Sequence, residues 1–351
     1  MANAQENVVD PQALWRYVTS KRELAQALLT TPQDMVSLKV FAQGEYNVNF
    51  VLALRDGRQF LVRVNVGSQL GLKDQIGYEM AALALLAQSG RTPAPYFADG
   101  SREHFPFGVG VEELLPGRPL NYETDLGEAA HILADIHSMP VPAKCILQKP
   151  KDGLAAMVAE CRALFSHYER WAQADAAVIR RIERMFFSVE KRLEKRAGTG
   201  AYGAGLKDGH IINTELNSSN FLINPDKSYL IDWEKPLVGD VAQDLAHLLV
   251  PTTTFWKTDV ILTRQERRRC VEKYRQAVGD RFSQDGLEER LGDYETITCL
   301  RGVTWCAMAL VEYASSARPV TNQDTFEKIK IYESPDFLDM LLDDWFGETQ
   351  A

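Results

Sequence analysis

The stretch Gly209–Leu249, GHIINTELNSSNFLINPDKSYLIDWEKPLVGDVAQDLAHLL, limits the possible folds more than any other part of the chain. Its centre holds two short apolar runs, Phe221-Leu222-Ile223 and Tyr229-Leu230-Ile231, separated by Asn224-Pro225-Asp226-Lys227. Such runs around a turn containing Pro and Asn predict a β-hairpin. Polar groups stand at its outer ends: Glu215 and Asn220 before it, Asp232 directly after it. A loop acid, a loop amide and a strand-end carboxylate in this order suit metal-assisted phosphoryl transfer. The acid can accept a proton from an attacking hydroxyl, and the other two can hold magnesium over nucleotide phosphates. Singly, each has a plainer reading, such as a turn-capping Asn or a strand-end Asp.

The flanks predict a small β-rich part followed by a large helical one. Pro11–Leu29 has helical spacing. Val36–Ala42, Asn49–Leu54 and Gln59–Val64 predict a strand meander, and Ile76–Ser89 a helix closed by Gly90. After Thr92-Pro93-Ala94-Pro95 comes another strand, then Phe107–Leu115, ending at Pro116-Gly117. A Pro-Gly pair marks a boundary on local grounds, dividing the chain into 1–115 and 116–351. Beyond it, Leu126–Met139, Asp152–Trp171, Ala174–Arg196, Arg264–Val278 and Leu287–Ser316 predict helices. Gly198 and Gly200 would close the third of these, and Ser334-Pro335 would cap a final one.

Ordered in this way, ExxxxN, a hairpin, Ile231-Asp232-Trp233-Glu234, Gly239-Asp240 and Asp244-Leu245-Ala246 resemble the aminoglycoside phosphotransferase/choline kinase-like family, relatives of the protein kinases. The family pattern is HGDxxxxN, a hairpin, IDW or IDF, then GDxxxDLA. The second half fits closely. In the first half, Asn213 stands for the family His, Thr214 for Gly and Glu215 for the catalytic Asp, while Asn220 is kept.

The resemblance implies a two-lobed, protein-kinase-like α+β fold, with a small β-rich N-terminal lobe and a larger, mostly helical C-terminal lobe. It implies ATP (or GTP) and magnesium as cofactors, and a small-molecule alcohol as acceptor, such as an aminoglycoside, choline or a related metabolite. Glu215 takes the base position, and Asn220 and Asp232 the metal positions. Gly44, Tyr46 and Asn47 form the flap over the phosphates; locally the same residues make an ordinary hairpin turn. Arg63 stands where the fold places its phosphate-pairing lysine, with Glu79 as its helix partner. Glu113 and Leu115 belong to the adenine-binding hinge. Glu234, next to the metal Asp, is a candidate substrate contact. Asp240 and Asp244 are expected to cap a helix and brace the catalytic loop. Two functions fit: a small-molecule kinase, or a pseudokinase-like protein that binds a nucleotide or metabolite without efficient transfer.

Composition removes several alternatives. A net charge of −9 over 351 residues leaves too little basic surface for a nucleic-acid partner, and suits a cationic ligand. No apolar run nears the ~18–20 residues of a membrane span. The polar N-terminus carries no signal-peptide pattern. Five cysteines, an odd number without CxxC or metal-ligand spacing, predict buried thiols in a reducing cytoplasm. No P-loop, dinucleotide fingerprint or GxSxG elbow is present. Nothing in the sequence sets an oligomeric state.

Overall fold

The computed structural model describes residues 8–44, 46–68, 70–197, 209–315 and 323–347. The chain begins with α1 (Pro11–Ser20), capped by Asp10, whose Oδ1 accepts the Gln12 N–H at 2.8 Å. The helix expected to run to Leu29 is instead two, because Lys21 is extended (φ −84°, ψ 106°) before α2 (Arg22–Ala27). Lys21 is drawn out of the helix by Asp99, 2.8 Å from its Nζ.

The strands β1 (Met35–Gln43), β2 (Asn47–Leu54) and β3 (Gln59–Asn65) form the expected meander. They are followed by α3 (Gln75–Leu86), β4 (Pro95–Asp99) and β5 (Gly108–Glu113). The sheet is wholly antiparallel, in the order β1-β2-β3-β5-β4. Alternation along β2 and β3 sends Phe50, Leu52, Val62 and Val64 to one face, where Leu14, Val18, Leu24 and Leu28 cover them. The first two helices therefore close the outer face of the small lobe.

The larger lobe holds α4 (Leu126–His137), α5 (Gly153–Glu169), α6 (Ala176–Ala197), β6 (His210–Ile212), β7 (Phe221–Leu222), β8 (Tyr229–Leu230) and β9 (Leu237–Gly239). Then come α7 (Val241–Leu249), α8 (Pro251–Lys257), α9 (Arg264–Val278), α10 (Leu287–Ala314), α11 (Gln323–Tyr332) and α12 (Pro335–Trp345). The hairpin is β7–β8, and an unforeseen ladder joins β6 to β9 around it. The expected glycine stop of α6 and the Ser316 end of α10 lie outside the described residues. Cys161, Cys270, Cys299 and Cys306 are buried as thiols. Among the described residues, no helix is long and apolar enough to cross a membrane. The architecture is α+β and two-lobed, a kinase-like arrangement.

Two features align the lobes. At Gly117 the linker crosses β7 with φ +151°, where an added Cβ would lie 2.8 Å from that of Leu222, so only glycine passes. The helix α3 reaches across as well: Tyr78 donates its hydroxyl to the Pro236 carbonyl at 2.6 Å, and accepts from the Gln148 N–H at 3.0 Å.

Glu333, in the turn between α11 and α12, is buried and neither carboxyl oxygen has a hydrogen-bond partner. Burial pushes this carboxyl well above the usual range, because the charged form loses its hydration there. Its contribution to stability is complete below the unfolded value of about 4.3 and declines as pH rises. Glu333→Met should therefore raise the urea midpoint at about pH 8, with the gain shrinking toward about pH 4. A gain independent of pH would show that the carboxyl does not carry this penalty.

Candidate active site

The loop between β6 and the hairpin is shaped by one carboxylate. Asp244 on α7 has no solvent exposure. Its Oδ2 accepts the Asn213 N–H at 2.8 Å and its Oδ1 the Thr214 N–H at 2.7 Å. His137 Nε2 lies 3.2 Å from Oδ2, and the other ring nitrogen meets Tyr274 OH at 2.8 Å. Asp240 caps α7 through the Ala242 N–H at 3.0 Å and pairs with Arg290.

Under this clamp, Thr214 adopts φ +72°, a left-handed conformation that a β-branched residue resists. Glycine, the family's residue here, would adopt it freely. Thr214 is held by its N–H on Asp244 and by its hydroxyl, which donates to the Lys235 carbonyl at 2.9 Å. Asn213 takes over the linking role of the family His. Its Nδ2 donates to the Asp232 carbonyl at 3.0 Å, and its Oδ1 accepts the Glu215 N–H at 3.0 Å.

These bonds position the backbone around three polar side chains, those of Glu215, Asn220 and Asp232. Asn220 donates Nδ2 to the Glu215 carbonyl at 2.7 Å, which leaves its amide oxygen without a hydrogen bond among the described residues. Asp232 also has a left-handed backbone, φ +63°, and its carboxylate, one-third exposed, reaches Arg63 Nη2 at 3.0 Å. Glu215 faces away from Arg63, with Oε1 3.6 Å from Arg301 Nη2. Burial raises the Glu215 carboxyl above its ordinary range, while Arg301 and Lys235 draw it back down.

Arg63 joins the lobes electrostatically. It rises from β3, almost fully buried, with Nε 3.3 Å from Glu79 on α3 and Nη2 3.0 and 3.3 Å from Asp232 and Glu234. The Glu79 contact is ionic rather than a directed hydrogen bond, since Nε has no hydrogen-bond partner. Glu112, on β5 beside β3, adds a fourth carboxyl facing the same guanidinium. Burial pushes both Glu79 and Glu112 up to about 7 despite Arg63. Burial and the Asp232 charge raise Glu234 as well. Asn47 Nδ2 also bonds Glu234 Oε1, so Glu234 lies on the Arg63 side of the cleft, against the flap.

Between β1 and β2 the Gly44 N–H meets the Asn47 carbonyl at 2.8 Å, and the Val66 N–H meets the Tyr46 carbonyl at 2.8 Å. At the hinge, Glu113 exchanges bonds with Ala94: its N–H donates at 2.9 Å and its Oε2 accepts at 3.2 Å. Leu115 follows immediately, and its backbone N–H has no acceptor among the described residues. Sequence reasoning missed Gln75, which ties Glu79 to the Glu234 carbonyl at 2.9 and 2.7 Å. It missed His247 too, whose Nδ1 accepts the Leu216 N–H at 2.9 Å and which burial holds neutral, down to about 3. Glu160, Lys235 and Arg301, around Glu215, were also missed.

A family model for the phosphotransferase enzyme family matches residues 37–289. The chain belongs to the phosphotransferase enzyme family. No curated protein matches the chain. Among solved structures, a spectinomycin phosphotransferase in complex with ADP and spectinomycin is similar at TM-score 0.63 and 14% identity, covering 96% of this chain and 99% of that one. Choline kinase from Cryptosporidium parvum is similar at TM-score 0.61 and 14% identity, covering 96% and 98%. An aminoglycoside phosphotransferase from Ralstonia eutropha, so assigned in name only, gives TM-score 0.66 and 13% identity over 94% and 96%. At these identities the likeness is one of fold. It agrees with the family expected from the hairpin and its acids.

Asp244→Ala should lower unfolding stability by about 3 kcal/mol or more, because two buried loop N–H groups lose their acceptor. Chemical denaturation measures this. A loss under about 1 kcal/mol would mean that the loop is held by other bonds.

Proposed function

We propose that this phosphotransferase-family chain moves the γ-phosphoryl group of ATP, or of GTP, onto a hydroxyl of a small molecule, with magnesium. One arrangement supports the reading above all. Asp232 pairs with Arg63 across the lobes, and Asn220, whose backbone carbonyl accepts the Ile231 N–H beside Asp232, keeps its amide oxygen uncommitted among the described residues.

The residues present fit magnesium. Asp232 offers a carboxylate that is one-third exposed, and the Asn220 amide oxygen has no hydrogen bond among the described residues. Among the described residues, no group of three or more His, Cys, Asp or Glu is placed to hold a metal. Magnesium needs none here, since it is commonly held by one or two protein ligands together with phosphate oxygens and water. Asp232 and the Asn220 oxygen are its ligands in this reading. When bound, it neutralises charge on the β- and γ-phosphates.

The chain's own residues do the rest. Arg63 holds phosphate oxygens with its planar fork, and Glu79 fixes Arg63. The flap at Gly44, Tyr46 and Asn47 covers the phosphates, and Glu113 and Leu115 offer backbone groups to the base. Glu234 bonds the flap residue Asn47 and Arg63 in this structure, so its role lies beside the phosphates rather than at a distant acceptor. Glu215 accepts the acceptor's hydroxyl proton. The hydroxyl oxygen forms the new P–O bond, and the bond to the β–γ bridging oxygen breaks with its electron pair leaving on ADP. The lobes divide near residue 115 in this scheme. The buried free thiols fit a cytoplasmic setting.

Asp232→Ala should weaken magnesium-dependent binding of a non-hydrolysable ATP analogue at least tenfold by calorimetry. Glu215→Gln should cut turnover by on the order of 10²-fold with little change in nucleotide affinity. Turnover indifferent to Glu215→Gln would remove Glu215 from the base role. Nucleotide binding without transfer to any acceptor would favour the pseudokinase-like alternative.

A further inference from the structure

Glu215 has a second set of neighbours, on the larger lobe. Arg301 comes from α10, Glu160 from α5, and Lys235 from the segment leading to β9. Glu160 Oε1 receives Lys235 Nζ at 2.8 Å and Arg301 Nε at 3.2 Å. Arg301 Nη1 approaches the Thr214 carbonyl at 3.5 Å, and Nη2 lies 3.6 Å from Glu215 Oε1. The two cations are largely buried, at 15% and 12% side-chain exposure, while Glu160 remains 33% exposed.

The donor count is unbalanced. An arginine side chain carries five N–H donors and a lysine ammonium three. Among the described residues, Arg301 uses at most three, two of them at long range, and Lys235 one. Two desolvated cations with donors to spare, one of them 3.6 Å from the group that takes the hydroxyl proton and joined to the other through Glu160, suit an anionic oxygen ligand. The same pair repels an ammonium group brought to Glu215, whatever the acidity of the chain as a whole. Glu160, the more exposed partner and shared by both cations, is the one group that an incoming anion can displace.

We propose that Arg301 and Lys235 form an anion-binding subsite beside Glu215, so that the accepted alcohol carries a carboxylate or phosphate close to its hydroxyl. This rests on the phosphotransferase reading and deepens it by naming the acceptor's chemistry. The bidentate fork of Arg301 and the point charge of Lys235 hold the anion. Glu160 is their counter-ion while the subsite is empty. The transfer step itself is unchanged: the hydroxyl proton goes to Glu215 and the phosphoryl group to the hydroxyl oxygen.

The test uses the full chain with four probes: glycerate, glycerol 3-phosphate, glycerol and choline. Binding is followed by calorimetry in the presence of a magnesium–ATP analogue, and ADP formation is followed separately with ATP. Glycerate or glycerol 3-phosphate should bind roughly tenfold or more tighter than glycerol or choline, and whichever of the two binds tighter identifies the anion as carboxylate or phosphate. Lys235→Met should weaken that binding roughly tenfold. Glu160→Gln should tighten it several-fold, a gain that a misfolded variant cannot produce. Anion binding with this variant pattern but no ADP formation would uphold the subsite and count against transfer. Preferential binding or phosphorylation of choline would overturn the subsite and leave transfer standing. Absence of anion binding, or Glu160→Gln weakening it, would also overturn the subsite.

Discussion

Asp244 accepts the backbone N–H groups of Asn213 and Thr214 with its two oxygens, in a site without solvent. The geometry of the loop descends from that pair of hydrogen bonds. It fixes Thr214 in a left-handed turn, which presents Asn213 to the Asp232 carbonyl and sets the direction of Glu215. A left-handed non-glycine residue costs of order 1–3 kcal/mol, comparable with one or two charge-assisted hydrogen bonds. The loop therefore tolerates Thr in place of the family's Gly because the carboxylate offsets the strain. His137 and Tyr274 extend the network into α4 and α9, so that the loop is anchored to the core of the large lobe.

The second constraint is electrostatic. One arginine, Arg63, faces Glu79, Glu112, Asp232 and Glu234. Four carboxyls cannot all ionise around a single buried cation, and burial raises three of them. Asp232, the most exposed of the four, is the carboxylate that the proposed reading gives to a further cation. The substitution of Arg for the family Lys fits this crowding, since a fork spreads its charge over several oxygens while a lysine serves one point.

The sequence made the local parts legible. Glu215, Asn220 and Asp232 lie within one short stretch whose hairpin fixes their relation, and the family resemblance implied the pairing of Arg63 with Glu79. The capping role of Asp240 and the bracing role of Asp244 were also readable, since both sit at the start of an amphipathic helix. What was not legible arises at long range or against local preference. Glu160 and Arg301 are 141 positions apart, and only the packing of α5 on α10 brings them together. After Pro251, helix α8 carries three consecutive threonines, poor helix formers, and Thr252, Thr253 and Thr254 are all buried in the packed lobe. The split between α1 and α2 depends on Asp99 pulling Lys21 aside, a contact 78 positions distant.

In the proposed reading, Asp232 and Asn220 hold a metal ion beside the catalytic loop that carries Glu215. The most direct test of that reading is anomalous diffraction from crystals grown with manganese and a non-hydrolysable ATP analogue. The account predicts a manganese peak coordinated by an Asp232 carboxylate oxygen and the Asn220 amide oxygen, with Arg63 on the phosphates. Nucleotide bound elsewhere, or a metal peak that avoids both residues, would contradict it.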